Sequence, residues 1–437
     1  MKFGSSAMAK GLMVTLVAIL VLIPIQMLAG LVRERTMQRE FAVTSVARGW
    51  GGEQHIGGPV LAIPITVTGE NGRSEILDWY VLPESLELRS QLEVQEKRRK
   101  LGVYEVPVYI AKLHAAATFD VASKIAAKMQ GARATTVHLD RVRLIVPVSD
   151  ARGVRDVHVT GAAISSDRFE PDVTLPISAL ATSLKADAQL DQAPVSFDLT
   201  LEVAGTYGLK FLPMARSTTL SLSGNWADPG FTSGFLPNES SMKDSRFSAT
   251  WKVLDLNRAY GSQWTTGQLQ EPVLKESAFG VDLVQPVDLY QRAERSVKYA
   301  GLFIALSLLT LFIWEHLARR PLHPIQYGMM ALALSVFYLL LLALAEHIGF
   351  VTAYIIAAVA LCGLLGYYLA GAFNSAKAGN GAGAVFAGVY ALLYLLVTSE
   401  DYALLVGAFA VFGLLAAAMV LTRRLDWYQT TARAESD

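Results

Sequence analysis

Charged residues leave long gaps along the chain. No Asp, Glu, Lys or Arg lies between Lys10 and Arg33, Lys298 and Glu315, Arg320 and Glu346, Glu346 and Lys377, Lys377 and Glu400, or Asp401 and Arg423. A helix of about 20 apolar residues crosses the hydrocarbon core of a bilayer. The gaps therefore predict membrane spans at 12–31, 299–318, 327–345, 350–372, 382–398 and 402–421. The first opens on Lys2 and Lys10 as a signal peptide would. Its apolar stretch is about twice a signal peptide's, and Met27-Leu28-Ala29-Gly30 is a poor cleavage site, so an uncleaved anchor is expected. Pro24 and Gln26 mark either a kink in it or a polar packing position.

Between the first two spans the pattern shortens to a period of two. Val195-Ser-Phe197-Asp-Leu199-Thr-Leu201-Glu-Val203 alternates as a half-buried strand does. Further strands are expected over 58–68, 76–81, 84–95, 103–119, 135–148, 155–163, 217–223 and 246–254, with one short helix at 120–130 opened by Asp120. Asn71-Gly72 between two β-rich runs predicts a hairpin, because both residues tolerate positive φ. The fold class is thus a polytopic α-helical membrane protein, about six spans in a 1+5 order, with a large β-rich domain of antiparallel sandwich or barrel type. The expected divisions are an N-terminal anchor at 1–31, the β domain at 32–298, five helices at 299–421 and a tail at 422–437. A break in the apolar pattern near 182–192 would divide the β domain if it has two parts.

Composition agrees with this division. Of 437 residues, 52% are hydrophobic and 17% charged, against about 25% charged in a soluble domain. Lys+Arg and Asp+Glu are equal at 38 each, so bulk charge gives no footprint for nucleic acid. The single Cys362 excludes an intramolecular disulfide and any zinc site of several thiolates. Arg319, Arg320, Lys377, Arg423, Arg424 and Arg433 fall on one side of the predicted spans, and Glu346, Glu400 and Asp401 on the other. That bias places both termini in the cytoplasm and 32–298 outside, which is a periplasm-like space if the membrane is a bacterial inner one. On the external side Arg33, Arg35, Arg39, Arg292, Arg295 and Lys298 meet those acids, as an ion-paired collar or as a seat for anionic lipid. The basic run 96–100 reads as a solvated loop or edge.

Signatures of common chemistry are missing: there is no GxSxG, HExxH, Walker A loop or CxxC. Gly379-Asn380-Gly381-Ala382-Gly383 reads as a flexible turn opening the fifth span, and Ala384/Gly388 and Gly413/Ala417 have the small-xxx-small spacing of close helix contacts. His114, His138 and His158 lack ligand spacing, and no metal or cofactor is expected. Glu315-His316 and Glu346-His347 repeat a pair, but the spans put them on opposite faces of the membrane, each at an aqueous helix end. Glu53 with His55 is the nearest acid–base pair, two apart as on one strand face, or hydrogen-bonded within a glycine-rich turn.

Longer strings carry a family resemblance. Gly52-Glu-Gln-His-Ile-Gly-Gly-Pro-Val-Leu-Ala-Ile-Pro64, Val103-Tyr-Glu-Val-Pro-Val-Tyr109, Phe279-Gly-Val-Asp-Leu-Val-Gln-Pro-Val-Asp-Leu-Tyr290 and His323-Pro-Ile-Gln-Tyr327 resemble the CreD family. So do Phe337-Tyr338 through Glu346-His347, and Glu400-Asp401-Tyr402 through Trp427-Tyr428. The resemblance implies a cell-envelope integrity factor of Gram-negative bacteria, tied to carbon metabolism and β-lactam response. It supplies no catalytic residues.

The expected function is non-enzymatic: a stress-response factor whose β domain binds a periplasmic protein or cell-wall partner, alongside the lipid bilayer. The alternative is transport, sensing or gating by the five helices. There Tyr338, Tyr354, Tyr367, Tyr368, Tyr390 and Tyr394 would line a path, with Glu346, His347, Glu400 and Asp401 at its external mouth. The candidate functional residues are Glu53, His55, Glu315, His316, His323, Tyr338, Glu346, His347, Glu400 and Asp401. The oligomeric state stays open.

Overall fold

The computed structural model describes residues 7–68, 73–95, 99–101, 104–129, 135–186, 188, 190–231, 234–283, 289–318, 322–399 and isolated positions between 405 and 420. The chain forms two compact units, Met1–Arg39 with Val287–Asp437, and Glu40–Pro286. These divisions differ from the expected 31/32 and 298/299. The helix Leu22–Trp50 continues 19 residues past position 31, and Leu289–Ala318 starts ten before 299. Both extensions are polar helix, which a hydropathy pattern reads as the end of a span.

Helices α1 (Ala7–Leu20) and α2 (Leu22–Trp50) part at Val21. Pro24 has no N–H to offer the Leu20 carbonyl, which accounts for the interruption. Helices α3 (Ala122–Met129) and α4 (Glu271–Glu276) lie in the β-rich unit. The helical unit holds α5 (Leu289–Ala318), α6 (Pro324–Ile348), α7 (Phe350–Ala372) and α8 (Ala376–Thr398). Five helical stretches among the described residues are long and apolar enough to cross a membrane, the first being Thr15–Trp50. The expected span 402–421 falls largely outside the described residues, as do the tail and the basic residues 96–98.

His323 caps α6, Pro324 fills its first position, and Gln326 Oε1 accepts from the His323 N–H at 2.7 Å. Gly349 turns the chain from α6 to α7 at φ +79°, open to a residue without a β-carbon. The stretch 379–383 is not a turn but part of α8, whose N-cap is Ser375. Its glycines serve packing: a β-carbon on Gly379 would stand 2.5 Å from Ala370 Cβ, and one on Gly383 3.5 Å from Gly366 Cα. The close contact of α7 and α8 therefore runs through Gly379 and Gly383. Gly388 has nothing within 4 Å and Ala384 is exposed, so the expected pair faces outward.

The β-rich unit is built on two large sheets. In one, neighbours run Val154–Thr160, Val195–Thr206, Val108–Phe119, Ser85–Val94, Ser217–Gly224, Arg246–Leu254, Glu239–Lys243. The other orders Glu170–Asp172, Ala179–Ser183, Arg143–Pro147, Val60–Thr68, Ser74–Val81, Gln263–Thr265, with Thr135–Val137 also on Val60–Thr68. Val60–Thr68 and Ser74–Val81 form the expected hairpin, whose turn residues 69–72 lie outside the described residues. The second sheet is antiparallel throughout its described pairs, as expected, whereas the first is mixed, because Ser217–Gly224 runs parallel to Ser85–Val94. Pro107, which has no N–H to donate, ends the short strand Tyr104–Val106 before Val108–Phe119 begins.

Strand Ser85–Val94 alternates exposed and buried at every residue. Its inner face joins Trp79, Tyr109, Phe119, Phe197 and Trp251 in one core shared by the two sheets. The second sheet is covered on its other face too, where Val60, Ala62, Tyr80 and Ile145 pack against Met214, Tyr260, Trp264 and Leu274. That double burial explains the unbroken apolar run Val60-Leu61-Ala62-Ile63. Residues 182–192 do not divide the domain. Ala179–Ser183 and Val195–Thr206 belong to the two facing sheets, and Leu184 and Leu190 between them are buried in the same core. The charges there sit on a crossing between layers.

Candidate functional site

A smaller sheet brings distant segments together. Gln54–Gly57 runs parallel to Gly208–Leu212, which pairs antiparallel with Phe279–Leu283. The register sets His55 beside Lys210, Lys210 beside Gly280, and Gly208 beside Asp282. Glu53, one residue before the strand, comes level with Gly208. Side chains alternate along a strand, so Glu53, His55, Lys210 and Asp282 share one face, and buried Gln54, Leu209 and Val281 the other.

Glycines clear that face. A β-carbon on Gly208 would lie 2.8 Å from Asp282 Oδ1 and 3.4 Å from Glu53 Oε1, so both carboxylates crowd the same point. One on Gly280, at φ +151°, would collide with Leu209 O at 2.3 Å. On the same face Lys210 is 6% exposed and its Nζ lies 2.6 Å from Asp282 Oδ1. Burial holds the His55 imidazole below its usual pKa; Lys275 and Lys210 push the same way, against Glu53. Burial thus favours the uncharged imidazole.

The support beneath is tightly bonded. Gln54 is fully buried and its amide donates to Asp150 O (3.1 Å) and Ala204 O (3.2 Å). Ser149 Oγ accepts from the His55 N–H at 2.9 Å and donates to Glu53 O at 3.1 Å. Asp150 Oδ2 accepts from the Gly52 N–H at 3.0 Å; its hydrogen bond with Arg152 holds its carboxyl below the usual range. Buried Tyr109 donates to Gly208 O at 2.7 Å. Tyr207, next in the chain, is held at φ 64° and half exposed, while its carbonyl accepts from Leu283 N at 2.6 Å. A bulky residue in that region is strained backbone, which concentrates at functional sites. Sequence reasoning found Glu53 and His55 and their shared face, but missed Lys210, Asp282 and Tyr207. The signal for Lys210 was a lone cation in the apolar run Leu209-Lys-Phe-Leu212.

The helical unit holds the other candidates. Glu315 is not at a solvated helix end; it is 4% exposed, and its Oε2 accepts from Tyr327 Oη at 2.6 Å. α5 continues beyond it to His316 and Ala318, so the helix end lies further on. Glu346, nearly buried, accepts from Tyr290 Oη at 3.3 Å and pairs with Arg35 Nε at 3.5 Å. Each of α5 and α6 thus offers a tyrosine from its first turns to a glutamate in the last turns of the other. His347 is exposed near Ala343 O, and His323 serves as the cap of α6. Tyr338 is fully buried beside Phe337, which also packs edge-on against Tyr354 and Tyr390. The Tyr338 and Tyr390 hydroxyls are both buried. Tyr367 is 83% exposed and so lines no interior path. Glu400 and Asp401 lie outside the described residues. Among the described residues, no group of three or more His, Cys, Asp or Glu is placed to hold a metal ion.

The strings that contain Glu53-Gln-His55 and Asp282 therefore meet at one charged face. The family model described as "Inner membrane protein CreD" matches residues 6–428. The chain belongs to the CreD family. The Escherichia coli (strain K12) inner membrane protein CreD is 32% identical over 433 residues, covering 94% of this chain and 91% of that protein. This is an inner membrane protein, and its membrane-length apolar helices agree with that. A crystal structure from Legionella pneumophila, described as a candidate nutrient binding protein, covers 62% of this chain and 90% of its own at 8% identity and a TM-score of 0.27. A superposition that loose carries no argument.

Proposed function

We propose that this protein is a non-enzymatic envelope factor that binds an envelope protein or cell-wall component through the face of Glu53, His55, Lys210 and Asp282. In this reading the β domain stands in the periplasm, as the bias of basic residues toward the opposite loops favours. The carrying observation is the buried Lys210 paired with Asp282, on the strand face that also carries Glu53 and His55, next to strained Tyr207. Charges held this way on a glycine-cleared surface favour recognition of a partner bearing both signs of charge. The test is complementation of a strain lacking the gene, scored by envelope leakage and β-lactam sensitivity. Lys210→Met with Asp282→Asn, expressed at wild-type level, should fail to rescue; full rescue sinks the proposal.

One observation favours a second reading, transport or gating by the helices: the two glutamates held by tyrosine hydroxyls inside the helical unit. Buried ionisable groups in membrane helices commonly mark ion or proton pathways. Proton flux into liposomes carrying the full chain, lost in Glu346→Gln and Glu315→Gln, would put this reading first.

A further inference from the structure

The outer face of the first large sheet is concave. A trough of about 650 Å³ crosses its strands, lined by outward side chains such as Gln91, Lys112, Glu202 and Ser223 and, between them, by the edges of buried Leu113, Leu201 and Leu222. Its floor is set by one cross-strand row. Asp156 stands beside Glu202, Glu202 beside Lys112, Lys112 beside Gln91, Gln91 beside Ser223, and Ser223 beside Ser248. Strands lie about 4.8 Å apart, so Glu202 and Lys112 are immediate neighbours of opposite sign. They nevertheless make no ion pair or hydrogen bond with each other or with any described residue. The charges around them are engaged: Arg89 with Glu87 at 2.6 Å, His158 with Asp156 at 3.1 Å, and His114 with Asp198 at 3.7 Å. Beyond Lys112 the row turns neutral, with only the amide of Gln91 and the hydroxyls of Ser223 and Ser248.

An ordinary solvated sheet face would also be polar. This one is concave, and its one unengaged anion and cation stand side by side at one end of a hydroxyl-lined floor. We propose that the trough binds small zwitterions of the amino-acid class that carry a neutral polar tail. The ammonium sits on Glu202, the carboxylate on Lys112, and the tail over Gln91 toward Ser223. The charge order along the row selects this class. A neutral sugar would leave both charges unused, and a simple anion would face Glu202. The inference stands apart from the Lys210 face, which lies on a different sheet.

The experiment is calorimetric titration of the full chain in detergent with glutamine, with N-acetylglutamine amide and with chitobiose. Glutamine should bind, and the blocked amide should bind at least about tenfold more weakly, because charge-assisted hydrogen bonds are about twice as strong as neutral ones. Lys112→Met and Glu202→Gln, both at exposed or half-exposed positions that leave the core intact, should each weaken glutamine at least about tenfold. Lys252→Met, at an exposed cation of the same sheet outside the trough, should leave it unchanged, which separates the trough's charge pair from general surface charge. No heat with glutamine, equal binding of the blocked amide or of chitobiose, or unchanged affinity in both variants would overturn the proposal.

Discussion

Replacing Asp282 by Asn tests whether the charged face rests on a buried ion pair. The change is nearly isosteric and removes only the charge that faces Lys210 Nζ at 2.6 Å. Breaking a buried pair by removing one partner costs about 3–5 kcal/mol, because the other charge stays desolvated. Two features lower that here. The Asp282 side chain is 29% exposed, and Glu53 supplies a second carboxylate at the same point. We therefore expect about 2–3 kcal/mol for Asp282→Asn, which strands the buried lysine, and a smaller loss for Lys210→Met, which strands a carboxylate that still reaches water. The double variant removes the stranded charge, so it should be more stable than the sum of the singles predicts by at least about 1.5 kcal/mol. Urea unfolding of the full chain in detergent can be followed by tryptophan fluorescence, because Trp79 and Trp251 are buried in the β core. Single losses that add within about 0.5 kcal/mol would refute the reasoning, since uncoupled sites add within that margin.

Three other outcomes are expected. His55 has a folded-state pKa below its ordinary 6.5, so the unfolded chain takes the proton first; its contribution is complete above pH 6.5 and is lost as pH falls. His158 is opposite: its hydrogen bond to Asp167 raises its pKa, so its contribution is complete below pH 6.5 and is lost as pH rises through the folded value. Urea midpoints from pH 5 to 8 should lose their acid-side fall in His55→Gln and part of their alkaline-side fall in His158→Gln. Gly379→Val should separate α7 from α8 and lower the helical unit's thermal midpoint in detergent, by about 1–3 kcal/mol as overpacking commonly costs, whereas Gly388→Val, with open space around it, should be silent. Tyr327→Phe should cost about 1–3 kcal/mol by removing a buried donor from Glu315, read as a lower midpoint that Glu315→Gln does not restore.

What could be read ahead of the structure follows from the range of each interaction. Membrane helices announce themselves through solvation, which acts residue by residue; the centres of five spans were therefore legible, while the polar extensions of α2 and α5 were not. Strands such as Val195–Thr206 alternate because one face meets the core and the other meets water, and that too is local. Strand pairing is not local. The parallel match of Ser85–Val94 with Ser217–Gly224 joins segments separated by more than a hundred residues, and nothing in either string names the other. The candidate site shows the same limit. Glu53 and His55 were legible as a pair on one strand face, but what gives them context is Lys210 and Asp282 arriving in register from two other strands. The glycines were misread for a related reason. Gly379 and Gly383 look like a turn by composition, yet their meaning lies in Ala370 and Gly366, which press against them from the preceding helix. A glycine reports that a β-carbon is excluded without saying whether backbone torsion or a neighbour excludes it. Gly280 is excluded by both, and its collision with Leu209 O ties the charged face to the sheet geometry. Gly280→Ala should therefore displace the neighbouring backbone that carries Lys210 as well as strain its own φ. It should disturb partner binding through the face even though alanine brings no new charge.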